Sequence, residues 1–195
     1  MDWHELIPAL CAGIALSAAC GFRVFVPLLV ISIAVRLGGL SVNEHMSWIG
    51  SEAALTCLSI ATFVEVAAYY IPLIDHALDV INTPLALIAG ALITCGMLPD
   101  MPDYAQWTVG IIAGAGAAGA VQAGTAALRG VSTVATTALA NPVFATLENV
   151  LSALGAVIAI VLPVVAVLGL ALIGWVAYSL IKRMRRRTCK SFPHS

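Results

Sequence analysis

The sequence predicts an all-α integral membrane protein, a bundle of about five transmembrane helices with broken or re-entrant segments. Of its 195 residues, 61% are hydrophobic and only 10% are charged, against roughly 25% charged in a soluble domain of ordinary composition. Apolar stretches of about 20 residues, long enough to cross a hydrocarbon core of about 30 Å, recur along the whole length. Basic residues collect in "KRMRRRTCK", directly after the last apolar run, which is the positive-inside signature of a cytoplasmic C-terminus. Residues 1–187 read as one multi-pass domain and 188–195 as a short cytoplasmic tail.

Each element follows from its own residues. The start, "MDWHELIPALCAG", carries acids where a secretory leader carries bases, so it is expected to be retained as the first membrane helix. The first apolar segment, about Leu6 to Val35, is too long for one upright crossing and contains Cys20-Gly21 and Pro27, so a tilt, kink or break is expected near Gly21. A second span runs from about Ala53 to Ile71 and carries Glu65 near its end. A third is expected to start at "NTPLALIAGAL", with Thr83 as cap and Pro84 at the first helical position, where its missing N–H costs nothing. A fourth, about Tyr104 to Leu128, is rich in Gly and Ala. From Arg129 to Ala140 the chain is small and hydroxylic, and reads as re-entrant or buried in protein. "NPVFATLENV" restarts a helix with Asn141 as cap, and the last apolar stretch continues to about Ile181, with a kink expected at Pro163.

Counted back from the basic C-terminus, five crossings put the N-terminus outside and Arg36 on the cytoplasmic side, in agreement with the positive-inside rule. Six, with residues 142–181 crossing twice, put the N-terminus inside. A weak internal repeat pairs "INTPLALIAGAL" with "LANPVFATLENV" and "AGIALSAACG" with "AGAGAAGAVQAG"; secondary transporters are often built from such halves, with broken helices meeting near the midplane.

The net charge of −1 conceals an uneven layout, because Arg36 and Arg129 bracket a stretch without Lys or Arg that holds Glu44, Glu52, Glu65, Asp75, Asp79, Asp100 and Asp103. Such a surface excludes nucleic acid as a partner. Five scattered cysteines, without a CxxC pair or a His at ligand spacing, indicate neither a disulfide framework nor a zinc site. Neither a GxSxG elbow nor an HExxH motif occurs, so no catalytic site and no cofactor are expected.

"GAGAAG", Gly114 to Gly119, matches the dinucleotide fingerprint by letter but lies inside a membrane span, without the strand that motif requires. Gly110, Gly114, Ala118 and Gln122 recur every four residues and share a face that suits close helix packing, within the chain or against a second copy of it. The sharper alternative has this groove and Gln122 line a pathway. An arginine in a membrane helix costs about 2.5–3.5 kcal/mol on insertion scales, so Arg23 must face the bundle interior and find a partner. Glu65 is the expected partner, and Arg129 with Glu148 makes a second set. These charges line a polar route or bind a charged solute on one reading, and fix helix register as dry ion pairs on the other. Asp75 and Asp79, four apart beside His76, suit a cation or proton; alternatively their segment is an interfacial amphipathic helix, with Tyr69 and Tyr70 as belt residues. The helix starts at Thr83 and Asn141, with Arg23 and Arg129, favour an anion or lipid phosphate, unless they are ordinary caps.

"SAACGFRVFVPLL", the glutamate of "FVEV", "IPLIDHALDVINTP", "AGAL" and "STVATTALANPVFATLENV" resemble, in that order, an uncharacterised family of small bacterial inner-membrane proteins, a domain of unknown function. The resemblance covers about Ala12 to Val150 and implies an inner-membrane location without supplying an activity. The family pattern places basic residues near the prolines matching Pro72 and Pro84, where this chain has Tyr70 and Ala86. The leading functional expectation is passage of a small charged solute or lipid head group, with Arg23, Glu65, Asp75, Asp79, Thr83, Gln122, Arg129, Asn141 and Glu148 along the route. The alternative is a non-transporting scaffold or accessory subunit whose buried charges specify packing.

Overall fold

The first apolar stretch folds as two helices, α1 (Trp3–Cys20) and α2 (Phe25–Arg36), separated by a break at residues 21–24. The expected break near Gly21 has a steric cause. A Cβ on Gly21 would lie 2.5 Å from the Ala118 carbonyl oxygen and 2.6 Å from the Val121 Cβ, so a glycine is needed where the break presses against the α6 backbone. Pro27 falls in the first turn of α2, where a missing N–H removes no intrahelical bond. A computed structural model describes residues 3–70, 72–136 and 141–189, with the side chains of 72–77, 79, 130–136, 141, 142, 144, 176–178 and 180–189 outside the description.

After α2 the chain passes through a 3-10 helix, Glu44–Gly50, capped by Asn43, whose Oδ1 accepts from the Met46 amide at 3.2 Å. Ser51 then caps α3 (Glu52–Ala68) by accepting from the Ala54 amide at 3.1 Å. The rest comprises α4 (Pro72–Met97), α5 (Asp103–Val109), a π-helical turn at Gly110–Ala115, α6 (Gly116–Thr136), α7 (Asn141–Val161) and α8 (Pro163–Cys189).

Contacts between named residues give the helix directions. Gly13 lies on Thr94 and Ser17 donates to the Gly90 carbonyl at 2.7 Å, so α1 and α4 are antiparallel. Gly90 abuts Gly114 while Gly110 abuts Ala91, so α4 is antiparallel to the α5–α6 rod. Asn43 bonds the Cys95 carbonyl at 2.8 Å, so the chain that left the break through α2 has returned to the level of Gly96. Ser152 donates to the Ala19 carbonyl at 3.1 Å, and α8 packs further along α1. Leu162 donates to Ile158 at 2.8 Å and accepts from Ala166 at 3.0 Å, so α7 ends and α8 begins at the position where the kink at Pro163 is expected. Both helices pack on α1, from Ser152 beside Ala19 onward.

Among the described residues, three stretches are long and apolar enough to span, Trp3–Cys20, Val80–Met97 and Asp103–Arg129, with a fourth if Glu44–Gly50 and Glu52–Ala68, bent by 69°, form one span. The expected five are not all found among them, since the first apolar segment is divided between α1 and α2. The third helix does not start at Thr83: α4 begins at Pro72 and runs through Pro84, a proline that membrane helices tolerate because neighbouring groups re-satisfy the freed carbonyl. The segment after Arg129 is helical to Thr136, since hydroxylic residues and alanine keep the ladder once the arginine is paired; residues 137–140 lie outside the described residues.

The core is built on small side chains. Ala15, Ala18, Ala19, Ala86, Ala118, Ala156 and Ala159 are all buried, as are Ser17 and Thr94, whose hydroxyls lie 2.9 Å apart. The expected face of Gly110, Gly114, Ala118 and Gln122 is buried against α4 and the α1–α2 break of the same chain, which is how small residues let membrane helices approach. Gly116 and Gly124 look into open space. Large apolar side chains point outward instead, among them Ile112, Leu128, Val143 and Leu154, as a lipid-facing exterior requires.

Gly114→Ala should lower stability by about 1–3 kcal/mol, because its Cβ would strike the Gly90 carbonyl, whereas Gly116→Ala should leave it unchanged; detergent melting curves of the two variants separate these cases. Compartment reporters fused to the two ends of the chain should report the same side of the membrane.

Candidate functional site

Five helix ends converge beside the α1–α2 break, and the charges gather there. Arg23 follows α1, Glu65 and Tyr69 close α3, Arg129 lies in the last third of α6, and Ala145 and Glu148 lie in the first turns of α7. The 18 residues of α1 span about 27 Å, so the break lies about that far along the helix axis from Trp3. Arg23, Glu65, Tyr69, Arg129 and Glu148 are each at most 5% exposed.

Glu148 is the hub. Arg129 approaches it side-on, Nε donating to Oε1 at 2.9 Å and Nη2 to Oε2 at 2.7 Å, the bidentate geometry in which charge-assisted bonds are strongest. Arg23 Nη2 lies 3.4 Å from the same Oε2 and donates to the Ala145 carbonyl at 3.3 Å. The Tyr69 ring sits under both cations, with its centroid 3.5 Å from Arg23 Cζ and 4.8 Å from Arg129 Cζ, a cation–π arrangement favoured by desolvation.

Glu65 has a different task. Its Oε1 accepts from the Val24 amide at 2.9 Å and its Oε2 from the Phe25 amide at 3.1 Å, so a carboxylate from α3 caps the N-terminus of α2. Anions are stabilised at such ends by free N–H groups and the helix dipole. Asn82 of α4 donates to Glu65 Oε1 at 3.2 Å and to the Tyr69 hydroxyl at 2.9 Å, linking the cap to the aromatic platform. An open cavity of about 400 Å³ lined by Phe25, Cys57, Ile60, Val64 and Leu78 has Glu65 and Asn82 in its wall.

The expected Arg129–Glu148 set is present. The expected Arg23–Glu65 pair is not: Arg23 pairs with Glu148, because the backbone amides opened by the break take the Glu65 carboxylate first. Gln122 is buried one α6 face with Thr125 and Arg129, and the Thr125 hydroxyl donates to its carbonyl at 3.0 Å. Thr83 is exposed inside α4 and caps no helix start. Asp75, His76 and Asp79 belong to the first turns of α4 rather than to a separate interfacial helix, and Asn141 opens α7; their side chains lie outside the described residues. Two site residues were missed. Tyr69 read as a belt aromatic, although its i+4 spacing from Glu65 placed it on the same face; Asn82 was overlooked beside the Thr-Pro pair. Tyr70 shares a hydrogen bond with the Thr146 hydroxyl at 2.9 Å, and Ala86 is fully buried. No group of three or more potential metal ligands occurs among the described residues.

The apolar exterior and the enclosed charges define a helical membrane protein organised around a buried ion-pair network. The chain belongs to the family described as Domain of unknown function (DUF4126), which matches residues 10–183. No curated protein and no solved structure matches it.

Glu148→Gln should cost about 3–5 kcal/mol, since it leaves two buried guanidiniums without their shared anion. Breaking the exposed Arg36–Glu52 pair, whose side chains are 35% and 89% exposed, with Arg36→Ala should cost about 1 kcal/mol or less. Chemical unfolding of both variants in one detergent checks the contrast.

Proposed function

We propose that the protein passes a small charged solute, or the head group of a lipid, across the membrane through the polar centre at the α1–α2 break. The observation that carries this reading is Arg23: it is 1% exposed, yet its Nε and Nη1 have no hydrogen-bond partner. A charge enclosed at such cost in a membrane protein ordinarily marks a pathway or a substrate site, and broken helices are where transporters place such sites. The cavity walled by Glu65 and Asn82 is the natural approach from the exterior. In this reading Arg23 and Arg129 receive the charged group, Glu148 orients both, and Gln122 lines the route. With the terminal basic run held in the cytoplasm, the protein resides in a bacterial inner membrane.

A scaffold is the second reading, favoured by the way Glu148 takes both arginines while Glu65 closes α2. Cys20 separates the two. It is fully buried at the end of α1, its thiol directed to the Val24 carbonyl. With Cys11, Cys57, Cys95 and Cys189 replaced, a membrane-impermeant thiol reagent should label Cys20 from one side of sealed vesicles only. If Cys20 resists labelling from both sides yet reacts after denaturation, the scaffold reading replaces transport.

A further inference from the structure

Every unpartnered buried side-chain nitrogen among the described residues lies on one of two side chains: Arg23 Nε, Arg23 Nη1 and Gln122 Nε2. We propose that these nitrogens form a binding site for one small anion, an acceptor-only guest bearing a carboxylate or an inorganic oxyanion. The inference deepens the transport reading by naming its guest, and it rests on that reading only for the site's purpose, not for its existence.

Placement supports it first. Gly21 abuts α6 so closely that a Cβ there would come within 3.0 Å of the Gln122 backbone nitrogen. Gln122 therefore lies against the break, two residues of chain from Arg23, on the α6 face that also carries Arg129. Gln122 is 3% exposed and Arg23 1%, so water in bulk cannot satisfy either.

Donor chemistry then selects the guest. Nε contributes one N–H and Nη1 two, so three of the five guanidinium donors are free, and the Gln122 amide nitrogen adds two more. A cation finds no acceptor in such a set. One water accepts about two hydrogen bonds, whereas a carboxylate offers about four lone-pair sites and also meets the charge. Arg129 holds Glu148 at 2.7 and 2.9 Å while Arg23 stands off at 3.4 Å, so Arg23 is the less tightly bonded guanidinium and can turn its donors to a guest without disturbing the tighter pair. Tyr69 covers one face of the guanidinium, which leaves approach in its plane, where the free N–H groups point.

The test is a thermal melt of the full chain in neutral detergent with sodium acetate or inorganic phosphate titrated against sodium chloride at constant ionic strength. A parallel arm uses nanodiscs of phosphatidylcholine with and without phosphatidylglycerol. A saturable rise in melting temperature is expected, with the apparent Kd weakened about tenfold or more in Gln122→Leu, which deletes donors to a charged acceptor, and saturation lost in Arg23→Lys. Stabilisation by phosphatidylglycerol alone, removed by Gln122→Leu, upholds the site with a lipid phosphate as guest. No saturable effect, or one that Gln122→Leu leaves unchanged, overturns it and leaves water as the occupant. Should Arg23→Lys fail to fold, Gln122→Leu still decides. A saturable effect with Cys20 unlabelled removes transport and keeps the site; labelled Cys20 without an anion effect removes the site alone.

Discussion

One carboxylate serves two guanidiniums from different helices, and the rest of the bundle is arranged around that economy. Glu148 meets Arg129 from α6 and Arg23 from the α1–α2 break. Any one of these charges alone in hydrocarbon is expensive, and removing a single member exposes the others to an uncompensated burial. The three helical segments are therefore constrained to arrive together. Glu65 completes the neutrality: two buried cations, two buried carboxylates, with the second anion placed on backbone amides instead of on an arginine. Tyr69 lies beneath both guanidiniums and, through Asn82, ties the platform to α4.

That network can exist only because the packing around it is so close. Glycine and alanine at Gly21, Gly90, Gly114 and Ala118 allow α1, α4 and α6 to touch through their backbones, and van der Waals contact is the main cohesive force between helices in lipid. Many of the larger apolar side chains lie on the outer surface, while a few such as Leu16, Ile31 and Ile93 fill the core. Polar groups in the interior are then satisfied locally, as when Ser17 reaches the Gly90 carbonyl and Thr94. The same approach of α6 to the break brings Gln122 to the neighbourhood of Arg23 without any loop to carry it.

Much of this was legible in the sequence because it follows from single residues. A glycine after a run of small residues announces a break where another backbone must pass, and Gly21 does so. Between Asp103 and the terminal basic run Arg129 and Glu148 are the only charged residues, so their pairing follows from cost alone. Choosing between Glu65 and Glu148 for Arg23 required knowing that the break would free the Val24 and Phe25 amides, and periodicity does not report freed amides. Thr83-Pro84 has the local chemistry of a helix start, but tertiary contacts carry α4 through it; a proline whose missing N–H is harmless at a first turn leaves the same letters as one tolerated inside. Tyr69 misled for a related reason, since an aromatic near a helix end fits a membrane boundary and a cation platform equally well.

The capping of α2 by Glu65 also imposes an order of assembly. With 12 residues and an arginine just ahead of it, α2 is too short to hold its place in the bilayer by itself. Its first amides have no acceptor until a side chain some 40 residues further along the chain is delivered. The α1–α2 hairpin must then wait, part-inserted or sheltered, until α3 has been made. Membrane integration of the N-terminal third is thus a concerted event, completed only when the Glu65 carboxylate docks.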